Sequence, residues 1–389
     1  MEKKKRIIIV GLEIFVICVV MLVIVLAQKR KQNLIKLDIG DTKGATENQN
    51  YWKMGVHNMA KGDDGYYYLQ DSGEGMLLKK FDGKTAAVVC TKDGCTHDTD
   101  DCYARFTADY LKKTLYYYNG HIFMVRVEDS MAKLVQINND GSERKDVADL
   151  VKNHGDATLS LVFNDNCVYV YDNTGTLGMD KDNTNIIRKV NLTTGESSDV
   201  FTHESKNSAI INAKSYGNKL LFEEFQWSVD KRSLKMTMEH QLNYYDYDSG
   251  KTKELSKRNI SDYYIDMESG KLYFFEVGKG LYVQNLNGKK VKCLYKADDT
   301  IQTATLSYDG QYIYMSNDGF KSTTKVSETT DKKILVVDKK GSLVNTLDVS
   351  NMDTVYFGDE NYLFGMKSGK LVYMDKSSIA DNSQWKTAE

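Results

Sequence analysis

The sequence predicts an all-β fold, a seven-bladed β-propeller behind one N-terminal transmembrane helix. Three observations carry this. A two-part module recurs seven times, and each half reads as a β-hairpin in which β-branched and aromatic residues flank Asn, Asp or Gly. The second strands of the modules align on Tyr66, Ile122, Val168, Leu220, Leu272, Tyr312 and Tyr362, at gaps of 56, 46, 52, 52, 40 and 50 residues. Periods of about 40–50 residues with four short strands apiece are those of propeller blades. The chain of 389 residues also holds 26 Tyr and no Pro, so Asp, Asn, Gly and Lys must make its turns. Stacking such sheets around an axis buries faces that a lone sheet leaves wet. Module boundaries are soft, so six or eight blades are the alternatives.

Residues 3–6 are Lys-Lys-Lys-Arg, 7–27 are a run of 21 residues whose one charge is Glu13, and Lys29-Arg30-Lys31 follow. A helix of that length rises about 30 Å, the thickness of a bilayer's hydrocarbon core. The run is longer than the ~7–15 apolar residues of a cleaved signal. The expectation is a cytoplasmic tail at 1–6, a transmembrane helix at 7–27, and a cell-membrane protein whose C-terminal propeller lies outside. Secretion after cleavage at Val25-Leu26-Ala27 is the alternative. Residues 28–50 read as a stalk. Within it Ile35, Leu37 and Ile39 alternate with Lys36 and Asp38, the period of a half-buried strand.

The propeller is assigned to 51–376. Module one turns at Asp64-Gly65 and Asp82-Gly83. Module two reads LYYYNGHIFMVRV, with the strong hairpin signal Asn119-Gly120. LVFNDNCVYVYD, YGNKLLFEEFQW and YYIDMESGKLYFFEV mark modules three to five. Module six joins SYDGQYIYMSND to KILVVDKKGSLVNTLDV, and module seven joins VYFGDENYLFGMK to KLVYMDK. Insertions interrupt the pattern at 91–113, 173–185 and 226–241, and loops carry binding on such scaffolds. The last also reads as longer strands of one hairpin. Residues 377–389 lack alternation and read as a frayed tail. Blade seven is then one strand short, and Leu34–Ile39 is the candidate closing strand.

The formal charge is −2 and no basic tract follows the first 36 residues, so nucleic acid is excluded as a partner. Cys167 and Cys293 stand singly in strand-like segments and read as buried small hydrophobes. Cys90, Cys95 and Cys102 cluster with His97 in CTKDGCTHDTDDC, a C-x4-C-x-H-x4-C pattern. These four make a Cys3His set that zinc accepts tetrahedrally as a structural site. A disulfide among Cys90, Cys95 and Cys102 is favoured instead if the propeller is extracytoplasmic, and unpaired thiols are the third possibility. Asp93, Asp98, Asp100 and Asp101 lack the order of a calcium loop. In none of these readings is catalysis implied, because protein fills all four positions.

The stretch CTKDGCTHDTDDCYA resembles a signature of uncharacterised surface proteins of Gram-positive gut anaerobes, carried here by Cys90, Cys95, His97, Cys102 and Ala104. The resemblance implies a Tyr-rich propeller joined to a membrane anchor or lipoprotein signal. This chain departs from it in having no Pro beside the cysteines and no lipidation site. It implies placement and fold, not an activity.

No phosphate-binding G-x4-G-K-[ST], no H-E-x-x-H and no G-x-S-x-G occurs. Glu223 and Glu224 are adjacent in a strand, point to opposite faces and cannot flank one glycosidic bond. No catalytic residue is assigned, and no cofactor beyond the possible structural zinc. The functional expectation is a membrane-tethered extracytoplasmic recognition or scaffolding protein, with a glycan, a peptide or another envelope protein as partner. The alternative is a cell-surface carbohydrate-active hydrolase or lyase with its site at the axial mouth. Three or more ionisable groups converging at that mouth would favour catalysis. A Tyr/Trp rim without a charged cluster would favour binding.

Overall fold

The structure is a computed structural model and describes residues 19, 21, 35–40, 49–52, 57–73, 75–152, 159–172, 182–230, 232–233, 236–298, 301, 303–316, 333–380 and 384–388. Apart from Val19 and Met21, the expected span 7–27 lies outside the described residues. Among those described, no helix is long and apolar enough to cross a membrane.

Seven antiparallel sheets follow one another, each with its main strands in sequence order. They occupy 59–88, 116–152, 159–206, 208–256, 260–296, 305–348 and 354–387. The second strands are Gly65–Asp71, His121–Glu128, Cys167–Asp172, Lys219–Val229, Lys271–Glu276, Tyr312–Ser316 and Tyr362–Lys367, so all seven aligned residues fall at or next to a strand start. First strands lie at the axis. Leu159–Asn164 and Ile260–Asp266 are buried at every residue, because neighbouring blades cover both faces. The outer strands Ser197–Lys206 and Lys251–Ser256 are largely exposed. Aromatic layers fill the gaps between blades: Tyr264 stacks on Tyr273 of its own blade and on Tyr308 of the next, each at 4.7 Å. This is why the chain uses so many tyrosines. Each ring buries a large apolar area and keeps a hydroxyl to pair, as Tyr263 does by donating to the Asn212 carbonyl at 2.7 Å.

The 226–241 insertion is a long hairpin, Lys219–Val229 paired with Met236–Asp246. The ends of the chain differ from expectation. Lys386–Thr387 pairs with Lys370–Asp375 as the fourth strand of blade seven, and Ile379 and Trp385 pack into that blade's core. The described residues of the expected tail, 377–380 and 384–388, are therefore not frayed, and the described residues 35–39 of the candidate closing strand do not pair with blade seven. Among the described residues no strand is exchanged between the first and last blades. Side chains close the ring instead: Tyr66 meets Phe364 at 4.7 Å, Phe81 meets Tyr373 at 4.8 Å, and Asp359 accepts from Tyr66 at 2.7 Å and pairs with Lys61 at 2.6 Å.

The alternation at 35–39 does bury Ile35, Leu37 and Ile39, but against blades four and five. There the Leu37 N–H donates to the Leu286 carbonyl at 2.8 Å and the Asn218 N–H to the Ile39 carbonyl at 2.9 Å. These residues are docked on the propeller, not part of a free stalk. Cys167 is buried as expected. Cys293 is exposed, because in the outer strand Lys292–Lys296 it is Leu294 that turns inward.

Residues 49–52 then run across the inner ends of four blades. Gln49 Nε2 donates to the Ser215 carbonyl at 2.6 Å, and Asn50 Nδ2 to the Ile265 carbonyl at 2.9 Å. The N–H groups of Tyr308 and Gly358 donate to the carbonyls of Asn50 and Tyr51 at 2.7 and 3.0 Å. Trp52 bridges to Phe357. This strap ties blades four to seven together at the axis and leaves open the side beside blades one to three.

Candidate functional site

What the strap leaves open is an axial pocket of about 90 Å³. The first strands of blades one to three, with Ala213 of blade four, supply Met59, Lys61, Tyr116, Tyr118 and Phe163, and the strap adds Trp52. Just before the first strand of blade one, His57 is buried, 9% exposed, and stacks on Tyr116 with ring centroids 4.5 Å apart. Its Nε2 has no hydrogen-bond partner among the described residues. Burial pushes the imidazole pKa down to about 4, so the ring is neutral at physiological pH. Among the described lining residues only His57 and Lys61 carry titratable nitrogens, and none carries a carboxylate. Lys61 is already paired with Asp359 and Glu360. The pocket is therefore largely aromatic, and His57 in its wall holds one buried, neutral imidazole nitrogen with no partner among the described residues. His57 was only one of six scattered histidines in the sequence, and no local signal set it apart.

The structure brings Cys90, Cys95, His97 and Cys102 together, with their donor atoms all within 4.8 Å of one another. The fourth strand of blade one explains how. It is broken in two: Ala86–Val88 pairs with Lys79–Phe81, and Arg105–Phe106 pairs with Met76–Leu77. Between them Leu78 bonds both sides of the break, donating to the Ala104 carbonyl at 2.8 Å and accepting from the Val89 N–H at 3.1 Å. Residues 90–103 leave the sheet at this neck, and Cys90 and Cys102 flank it. Blade two clamps the neck from outside. Arg144 donates to the carbonyls of Arg105 and Cys102 at 2.7 and 3.3 Å and lies over the Phe106 ring at 4.1 Å. Gly141 sits at φ +83, where a Cβ would come within 2.6 Å of the Val89 carbonyl oxygen.

No sulfur–sulfur bond joins Cys90, Cys95 and Cys102 in the structure. Burial raises the Cys102 thiol to about 11. Burial also opposes the Cys90 thiolate, but N–H donation from Lys92 and Tyr103 and the adjacent thiols outweigh it, and its pKa falls below the usual value. Three of the four nearby aspartates are engaged elsewhere. Asp101 pairs with Lys92, Asp100 with Arg105 at 3.1 Å, and Asp98 accepts from Thr96.

Glu223 and Glu224 point to opposite faces of blade four, as strand alternation requires. Glu223 meets His240 at 3.1 Å and accepts from Asn212 at 3.2 Å. Glu224 pairs with His203 and accepts from Asn185 at 3.0 Å. Glu224 and the two imidazoles border an off-axis groove of about 510 Å³. Each carboxylate is thus committed to an imidazole and an amide, and the two are not aimed at one point.

No protein family and no curated protein matches the chain's sequence. Solved structures do match in shape. One prolyl endopeptidase structure is similar at TM-score 0.51 and 10% identity over 90% of this chain, which spans about half, 49%, of that one. Sqt1 of Saccharomyces cerevisiae matches at TM-score 0.46 and 10% identity over 92% of this chain and 88% of its own. An oligogalacturonate lyase in complex with manganese matches at 0.43 and 12% over 68% and 73%. At these identities the likenesses concern shape alone; the seven sheets in sequence order define the class of the protein, a β-propeller.

Proposed function

We propose that this chain is a recognition module, held at a membrane by 7–27 with its propeller outside the cell, and that it reads its ligand in the axial pocket. The ligand class we assign is a glycan terminus presented at the cell envelope. The observation that carries this reading is the composition of the axial mouth: the described lining residues include Trp52, Tyr116, Tyr118, Phe163 and His57 with its unpaired Nε2, and none carries a carboxylate. The charged groups nearby are Lys61 and its ion-pair partners Asp359 and Glu360. Aromatic rings favour the faces of sugar rings, and a neutral imidazole exchanges hydrogen bonds with hydroxyls. Glycosidic cleavage needs a pair of carboxylates astride the bond, and the described lining residues supply none, while the nearby Asp359 and Glu360 are engaged by Lys61, which favours binding over hydrolysis. At about 90 Å³ it admits the tip of a ligand, not a chain. The resemblance at the cysteine cluster supports the envelope placement.

The test is a glycan array probed with the full-length protein in detergent, followed by calorimetry on the best hit. Trp52→Ala and His57→Phe should each weaken binding about tenfold or more, equivalent to ~1.4 kcal/mol. Undiminished affinity in both variants, or binding of peptides but no glycan, would reject the assignment.

A further inference from the structure

The neck of the blade-one excursion assembles a donor set with no role in the axial reading. We infer that Cys90, Cys95, His97 and Cys102 hold one zinc ion as a closed Cys3His tetrahedron, and that the ion staples a broken strand. Zinc bonds of ~2.3 Å to sulfur and ~2.0 Å to nitrogen put neighbouring S and N donors about 3.5 Å apart in a tetrahedron. The His97 Nδ1 to Cys102 Sγ separation is 3.4 Å, and all four donors fit within 4.8 Å. A disulfide would use two of the sulfurs and leave a thiol and the imidazole converging without purpose. Here all the cluster sulfurs are unbridged.

The surroundings fit a thiolate–metal centre. The Ala104 N–H donates to Cys102 Sγ at 3.4 Å, two residues on from its ligand. The Lys92 N–H stands in the same relation to Cys90. Backbone donors of this kind orient ligand sulfurs and share their negative charge. Gly94 at φ +69 and His97 at φ +64 give the loop the left-handed turns that bring Cys95 and His97 back over the neck. On binding, Zn²⁺ displaces the thiol protons of the three cysteines to solvent. Nothing is oxidised or reduced, so no further reactant is needed.

The position states what the ion does. Cys90 directly follows Val89 and Cys102 lies two residues before Ala104, and Val89 and Ala104 are the two residues that share Leu78. Joining them restores across the gap the continuity that the outer strand has lost, and lowers the entropy of an excursion that would otherwise fray. Blade two's Gly141 and Arg144 rest on that neck, so the staple also fixes the junction of blades one and two. With four protein ligands the ion has no open position, and its role is structural.

The experiment is metal analysis of full-length protein purified without chelator or added zinc. One tightly held zinc per chain is expected, with Cys90, Cys95 and Cys102 protected from alkylation until a strong chelator is added. Replacement by Co²⁺ should give the visible absorption of a tetrahedral thiolate site, lost in Cys102→Ser and shifted in His97→Cys. Chelation should speed amide hydrogen exchange at 86–106 and 138–144 while blades three to seven keep their protection, which separates loss of the staple from general unfolding. A native mass two hydrogens lighter, showing a disulfide, would overturn the inference. So would three freely alkylating thiols with no metal, or zinc retained by a folded Cys102→Ser/His97→Ala double variant.

Discussion

Single residues near the axis carry charge that their local sequence does not announce. Lys214 is 1% exposed and meets Asp262 at 2.8 Å, and Asp262 also accepts from the Leu306 N–H at 2.7 Å. One ion pair thus links blades four, five and six. Lys376 and Asp309 repeat the device at 3.0 Å between blades seven and six. Removing one member of such a pair leaves a buried charge unmatched, typically a loss of about 3–5 kcal/mol. His57 is the case with a pH signature. Its folded pKa of about 4 lies below the unfolded 6.5, so the unfolded chain takes up a proton that the folded chain refuses. Stability conferred by the neutral ring is complete above pH ~6.5 and falls as the pH drops toward ~4, by on the order of 3 kcal/mol, about 2 of it by pH ~5. Denaturant unfolding of wild type and His57→Phe at pH 7 and pH 5 should show the steeper acid loss in wild type. Parallel losses would mean that His57 is not held neutral by burial.

At the scale of elements, two short stretches outside the repeat hold the disc. Residues 35–40 cover blades four and five, and 384–388 complete blade seven. Burying Ile35, Leu37 and Ile39 is worth about 1.5–3 kcal/mol per side chain as an upper bound. A chain beginning at residue 44 should therefore unfold at markedly lower denaturant than one beginning at residue 32. A chain ending at Ile379 loses the pairing of Lys386–Thr387 and the packing of Trp385, and should lose a comparable amount. The two losses should add, because the segments touch different blades. Unchanged midpoints in either truncation would show that the contact contributes nothing.

For the whole molecule, ring closure rests on side chains. Blades one and seven meet through Tyr66, Phe81, Phe364 and Tyr373 and the Lys61–Asp359 pair, while the strap at 49–52 spans the inner ends of blades four to seven. The strap joins four blades and the aromatic seam joins blade seven to blade one, so the described contacts close the ring without a shared strand. With 7–27 as the proposed anchor and 35–40 docked on the disc, the propeller would sit close to the bilayer. Protease treatment of intact cells should digest the propeller and leave a membrane fragment of a few kDa. Recovery of the full-length protein from the soluble fraction would refute the anchor.

The sequence by itself determined the blades. Alternation, Asp-Gly and Asn-Gly turns and a repeat of about 40–50 residues are local signals, and the seven second strands could be placed to within a residue or two. The four cluster residues were equally legible, because their donors lie within thirteen positions of one another. Tertiary structure alone decided what depended on distant partners. Ile35, Leu37 and Ile39 showed that they would be buried, but only the surfaces of blades four and five decided where. Residues 384–388 carry no strand period, yet Lys370–Asp375 offers them a free edge. His57 becomes a candidate ligand contact only because the strap fills the other side of the axis. In each case local pattern fixes a residue's appetite for burial, and the choice among competing partners is made by surfaces that exist only once the ring has formed.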